Sequence, residues 1–124
     1  MSEAIKLTLH LPWPPTANHI WQHARRMNYL SKEYKSFLEL TFFSVRSQLP
    51  RKHKPLEDEV RVTILLFPPT NRKYDVDNRV KPILDALTKA GVWEDDSQVR
   101  TLTVSKCFRR DDEEPEAIVT IEGF

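Results

Sequence analysis

Apolar and polar residues alternate along the first part of the chain. From Ile5 to Leu11 every second residue is apolar, which predicts a β-strand with one buried face. Residues 12–15 include three prolines, which fix φ and remove backbone donors, so the strand should end there. We expect a stiff, extended loop from this point through Asn18 to about Tyr29.

A helical period follows the loop. Ser31 is a suitable N-cap, and apolar residues then recur three or four positions apart as far as Val45. This pattern predicts an amphipathic helix over residues 32–48, which Pro50 helps to end. Residues 59–67 alternate at first and then become wholly apolar, as in a strand that enters a covered sheet.

The second half of the chain predicts one more helix and two more strands. Apolar residues on one face indicate a helix from about 78 to 90, with Gly91 as its C-terminal stop. Residues 98–108 and 117–122 alternate again, and the acidic segment between them is predicted to be the turn between two antiparallel strands.

The order of these elements, β-α-β-α-β-β, predicts an α+β fold. We expect one small domain over residues 1–124, in which two main helices pack against a mixed four-stranded sheet. No apolar run is long enough to span a membrane, and no export signal is recognisable, so we expect a cytoplasmic protein without a membrane partner. The single cysteine, Cys107, agrees with a reducing compartment.

The net charge of +1 is weak for a protein that binds nucleic acid, but the charge is unevenly distributed. Residues 111–116 hold five of the 18 acidic residues, which leaves 19 basic against 13 acidic residues elsewhere. Basic clusters such as Arg25-Arg26 and Arg72-Lys73 are equally consistent with solvated faces and with phosphate binding. With only Gly91 and Gly123, the sequence has no glycine-rich phosphate loop.

Acidic residues lie on both sides of the second predicted helix. Asp75 and Asp77 would share a face if the segment before the helix is extended, and a divalent cation would offset their repulsion. Further acids follow the helix at residues 94–96. A cation held by such acids could support phosphodiester hydrolysis. The alternative is structural: Asp77 or Asn78 as a helix N-cap, Asp75 at the positive end of the helix dipole, and ordinary turn residues after the helix.

The arrangement of these acids resembles a known family. The segments that carry the resemblance are the opening Leu-Pro-Trp-Pro-Pro at residues 11–15 with Asn18, Asp-Val-Asp-Asn at 75–78 followed by Lys81, and the stretch from Asp85 through Asp95-Asp96 to Val99. Together they are similar to the signature of the RusA family of Holliday junction resolvases, the crossover junction endodeoxyribonucleases. The matching segments cover most of the chain.

The resemblance implies a homodimeric endonuclease that uses Mg²⁺, or Mn²⁺ in its place, to resolve four-way DNA junctions by paired nicks in recombination and repair. Carried over to this chain, Asp75, Asp77 and Asp96 are the metal-binding carboxylates and Lys81 is an essential basic residue. Residues expected to support them are Asp85 and Asp95, and the candidate DNA contacts are Arg72, Lys73, Arg79 and Asn18. Family members are often encoded by phages.

The segment around Lys81 has two alternative geometries. Pro82 directly follows Lys81 and makes the start of the helix uncertain. If the helix already includes this segment, Asp77, Lys81 and Asp85 share one face, where Asp85 either supports Lys81 or forms a solvent-exposed ion pair with it. The alternative functions are a catalytically silent module that binds branched DNA, and a metal nuclease that acts on flaps, forks or RNA.

Overall fold

The computed structural model describes residues 5–16, 21–24, 27–70, 73–108 and 112–124. Six strands and two α-helices are formed within these ranges. The strands are β1 Lys6–Pro12, β2 Trp21–Ala24, β3 Met27–Leu30, β4 Val60–Phe67, β5 Val99–Lys106 and β6 Glu116–Gly123, and the helices are α1 Lys32–Gln48 and α2 Asp77–Lys89. A short 3₁₀ turn, Asp96–Gln98, leads directly into β5.

Four strands form one mixed sheet in the order β1-β6-β4-β5. The last strand, β6, lies in the middle and pairs antiparallel with both β1 and β4, whereas β4 and β5 are parallel. The predicted α+β class and the order of the helices and sheet strands are therefore confirmed. β5 and β6 run antiparallel as predicted, but β4 separates them, so the acidic segment does not join neighbouring strands.

The first helix begins and ends where the pattern predicts. Ser31 caps it, since its side-chain oxygen accepts a hydrogen bond from the backbone N–H of Tyr34 at 3.2 Å. The loop prediction before this helix was wrong in part, because β2 and β3 form a two-stranded antiparallel hairpin. The signal was weak, because strands of four residues are too short for a clear period of two.

One hydrophobic core joins the sheet to both helices. Alternate residues of β4 and β6 point into it, and α1 and α2 contribute the apolar residues of their inner faces. Trp93 belongs to this core and is almost fully buried, and its indole N–H donates to the Thr88 hydroxyl at 2.6 Å. None of the helices in the described ranges is both long and apolar enough to cross a membrane.

The parallel crossover from β4 through α2 to β5 determines where the acidic residues lie. In such a unit the chain leaves the first strand at one end of the sheet and enters the second strand at the opposite end. Gly91 ends the helical part of the crossover with a φ of +78°, a conformation that glycine adopts without steric cost. The predicted stop is confirmed.

Candidate active site

Asp75 and Asp77 lie at the end of the sheet where β4 and β5 finish. Tyr74, the residue before Asp75, has its ring 4.7 Å from the Nζ of Lys106, the last residue of β5. The Tyr74 ring also packs edge-on against Trp13, which follows β1, with 5.6 Å between the centroids. This aromatic contact anchors the loop that carries Asp75 to the sheet.

Helix α2 already includes Asp77, so Asp75 and Asp77 do not both lie in an extended segment. Val76 is already helical, with φ of −64° and ψ of −36°, and Asp77 is the first residue of the helix. The expected extended geometry, in which Asp75 and Asp77 share a face, was therefore wrong. The capping alternative was wrong as well, because Val76 is the N-cap residue and no side chain caps this helix. Asp75 instead accepts a long hydrogen bond of 3.4 Å from the side-chain amide of Asn78.

Asp95 and Asp96 lie at the opposite end of the sheet. Asp95 caps the 3₁₀ turn by accepting from the backbone N–H of Ser97, and the Gln98 side chain accepts from the backbone N–H of Asp95 to complete a capping box. The hydrogen bonds from Ser97 hold the pKa of the Asp95 carboxyl below its usual value. Asp95 thus has a local structural task, whereas the Asp96 carboxylate is exposed to solvent.

The two acidic ends are far apart within one chain. Asp75 directly follows Tyr74, which lies beside the last residue of β5, whereas Asp96 lies three residues before the first residue of that strand. The strand itself spans about 23 Å at about 3.3 Å per residue. Within the described ranges, no three His, Cys, Asp or Glu side chains are close enough together to hold a metal ion. The carboxylates have the right chemistry for Mg²⁺, but those of one chain do not form the expected three-carboxylate site.

Lys81 and Asp85 form an ion pair on α2. The Nζ of Lys81 is 3.3 Å from Oδ2 of Asp85 one turn later, and the two side chains are 61% and 29% exposed. Helix α2 continues through Pro82 and includes Asp77, Lys81 and Asp85. These three residues are spaced four apart, so they share one face of the helix, which is the predicted alternative that is observed. The same Oδ2 accepts a hydrogen bond from the hydroxyl of Tyr34 on α1. Asp85 therefore connects the exposed lysine to the core.

Among the predicted DNA contacts, Arg79 makes its observed contacts within the protein. Its guanidinium donates to the carbonyl of Pro14 at 2.7 Å and lies 5.3 Å from the ring centroid of Trp13. Burial lowers the pKa of Arg79 from its ordinary value, and these contacts leave fewer of its donors for phosphate. Lys73 is exposed at the same end of the sheet, whereas Arg72 and Asn18 lie outside the described residues.

Tyr34 is the residue that sequence reasoning missed. Its position in the periodic pattern identified it only as an apolar residue on the inner face of the first helix. The available signal was its hydroxyl, since a buried tyrosine usually needs a hydrogen-bond partner that phenylalanine at the same position would not.

Comparison with known proteins identifies the class of enzyme to which this chain belongs. The family model for endodeoxyribonuclease RusA matches residues 12–122. The chain therefore belongs to the RusA endodeoxyribonuclease family.

Individual relatives agree with this assignment. The crossover junction endodeoxyribonucleases RusA of Shigella sonnei strain Ss046 and Escherichia coli strain K12 are each 33% identical to the chain over 99 residues, which cover 80% of this chain and 81% of the relative. The crossover junction endodeoxyribonuclease of Enterobacteria phage 82 is 34% identical over 96 residues, covering 77% and 78% of the two chains.

Proposed function

We propose that this protein is a structure-selective endonuclease that resolves four-way DNA junctions by paired, symmetric nicks in recombination and repair. The observation that carries the proposal is the set of exposed carboxylates at the two ends of the β4-α2-β5 unit, with Lys81 between them on α2. The relatives that share most of this chain's length are named for cleavage of crossover junctions.

The proposed site uses Asp75, Asp77 and Asp96 to bind Mg²⁺, with Mn²⁺ as an alternative. Hard carboxylate oxygens suit both cations, and such an ion would polarise the scissile phosphate and activate water. Because the length of β5, about 23 Å, separates the Asp75 end from the Asp96 end of one chain, all three carboxylates can act on one ion only if Asp96 comes from a second copy.

A symmetric dimer is the second part of the proposal. A two-fold axis perpendicular to β5 reverses the direction of the second copy, so the Asp96 end of each protomer comes to lie beside the Asp75 end of its partner. β5 is an edge strand of the sheet and Leu102 on it is 40% exposed, so this side of the molecule is open to a second copy. Two such sites would then supply the two incisions that a two-fold symmetric junction requires.

The residues of the chain itself would have separate tasks at each site. Lys81 would place its ammonium group near the scissile phosphate and stabilise the negative charge that develops during cleavage. Lys73, exposed beside Asp75, would contact the DNA backbone. Arg79 would act indirectly, by fixing the loop after β1 against the start of α2.

The test is cleavage of a matched substrate panel. Purified protein should nick a labelled four-way junction symmetrically in Mg²⁺, and it should cut a flap, a fork, linear duplex or RNA much more slowly. Asp75→Asn should abolish cleavage and preserve junction binding, since the substitution keeps the shape and removes the charge. Binding without cleavage by the wild-type protein would instead support a catalytically silent module. Equal cleavage of flaps or forks would overturn the junction selectivity.

A further inference from the structure

The Tyr34 hydroxyl makes a part-buried hydrogen bond that connects α1 to the Lys81–Asp85 pair. Tyr34 is only 3% exposed, and its hydroxyl donates to Oδ2 of Asp85, 51 residues away in the sequence. That oxygen is also the one closest to the Lys81 ammonium group, at 3.3 Å. The three side chains form a continuous path from the core to the surface of α2.

A comparison within α1 indicates that this contact is specific. Thr41 is two turns further along the same helix and fully buried, yet among the described residues its hydroxyl has no hydrogen-bond partner. Burial of a hydroxyl on this helix therefore does not by itself direct that group to a polar partner. Tyr34 spans the gap between the helices and reaches the only carboxylate of α2 that is paired with Lys81 in the described structure.

We propose that Tyr34 is a positioning residue for cleavage: it fixes the Asp85 carboxylate, which in turn holds the Lys81 ammonium group in its active position. This inference rests on the proposed function, because it assigns Tyr34 to the same site. Tyr34 does not touch the substrate. It acts only through Asp85.

Lys81 is mostly exposed to solvent. An exposed lysine that pairs with a freely rotating carboxylate gains little, since ordering two flexible side chains offsets the Coulomb attraction. Here the Asp85 carboxylate is already fixed by the Tyr34 hydroxyl of α1, so only the Lys81 side chain has to be ordered. The cost of placing the ammonium group is correspondingly lower.

The donor remains available at any pH at which the protein would work. Burial and the negative charge of Asp85 both raise the pKa of the Tyr34 hydroxyl, so it stays protonated and continues to donate. The direction of the hydrogen bond is thereby fixed from tyrosine to carboxylate. Phenylalanine at this position would keep the packing and remove only the donor.

The first measurement is the effect of Tyr34→Phe on single-turnover cleavage of a four-way junction by the full-length protein, with all DNA bound. We expect the rate to fall about tenfold, because misplacement of a catalytic group by a distant substitution has effects of this order or larger. The dissociation constant for the junction should change less than about twofold, since Tyr34 is buried and does not contact DNA. Thr41→Val is the matched control. It removes a buried hydroxyl without a partner from the same helix and should leave both values unchanged.

The second measurement separates positioning from packing by a double-mutant cycle with Lys81→Ala. If Tyr34 acts through Lys81, Tyr34→Phe should have almost no further effect on the rate once the lysine is absent. Asp85→Asn is an additional variant that keeps an acceptor for Tyr34 and removes the charge that holds Lys81. It should reduce the rate at least as much as Tyr34→Phe.

The possible outcomes distinguish the role of Tyr34, the role of Lys81 and the proposed function. A slow Lys81→Ala protein together with a Tyr34→Phe protein of wild-type rate would overturn the role of Tyr34 and leave the proposed function intact. Additive losses in the double variant would also overturn it, since they would indicate packing alone. A Lys81→Ala protein that cleaves at the wild-type rate would remove the role of Lys81 and with it that of Tyr34. Failure of the wild-type protein to cleave any junction would refute the proposed function itself.

Discussion

The separation of the two acidic ends leads to a complementation experiment. If each site combines Asp75 and Asp77 of one protomer with Asp96 of the partner subunit, an Asp75→Asn homodimer and an Asp96→Asn homodimer are both inactive. A heterodimer of the two variants places both substitutions in one site and leaves the other site intact. Mixing two inactive proteins should therefore restore cleavage.

The size of the restored signal follows from the arrangement. Random exchange of subunits makes about half of all dimers heterodimers, and each of these has one intact site, so roughly a quarter of the wild-type number of sites is restored. One intact site makes one incision. The product should consequently be a junction nicked on one strand, without the pair of nicked duplexes that complete resolution gives.

The assay is a junction with a different fluorophore on each strand, incubated in Mg²⁺ with the separate variants and with their mixture after subunit exchange. A mixture of Asp75→Asn with Asp77→Asn is the matched control. Both residues lie at the same end of the chain, so every heterodimer site carries a lesion and no activity should return. If subunit exchange is complete and the Asp75→Asn and Asp96→Asn mixture remains inactive, the shared site is refuted.

Three further predictions concern single positions. Lys81→Ala should fold normally and its affinity for junctions should fall only modestly, but its single-turnover rate should fall about a hundredfold or more, as expected for loss of one preorganised charge contact. A rate within a few-fold of wild type would assign Lys81 to the solvated surface. Gly91→Ala should lower the free energy of unfolding in urea by about 1 kcal/mol, because a φ of +78° is strained for alanine. The added methyl group itself has room, since the nearest atom, Arg46 Nη1, is 3.6 Å away. Thr88→Val should cost about 1–3 kcal/mol in the same measurement, since it leaves the Trp93 indole N–H without its acceptor; an unchanged unfolding midpoint would mean that water replaces the hydroxyl.

Local patterns in the sequence predicted the local structure well. The α1 helix, its Ser31 cap and the Gly91 stop follow from periodicity and capping chemistry within a few neighbouring residues. The start of α2 was predicted at about residue 78 and is observed at Asp77, although Pro82 disfavours helical geometry in the residue before it. Pro82 is the sixth residue of the helix, so α2 accepts the loss of one i→i−4 backbone hydrogen bond at this position.

The geometry of the candidate site depends on contacts between residues that are far apart in the sequence, and the hydrophobic pattern does not describe such contacts. The acidic residues and Lys81 could be selected from the resemblance, but the ion pair of Lys81 with Asp85 depended on where α2 begins. The contact of Tyr34 with Asp85 depended on how two helices pack across a separation of 51 residues. Periodicity describes which face of each element is buried and does not describe which side chains meet.

The direction of β5 is the fact that changes the interpretation of the acidic residues most. Had β5 returned antiparallel to β4, residues 94–96 would have lain at the same end of the sheet as Asp75. A parallel crossover instead carries them to the other end, at the start of β5. Under the proposed function, a single protomer then lacks a complete set of carboxylates, and cleavage is confined to the dimer that can cut both strands. This arrangement would protect DNA from unpaired nicks, because the assembly that makes the first incision already carries the second site.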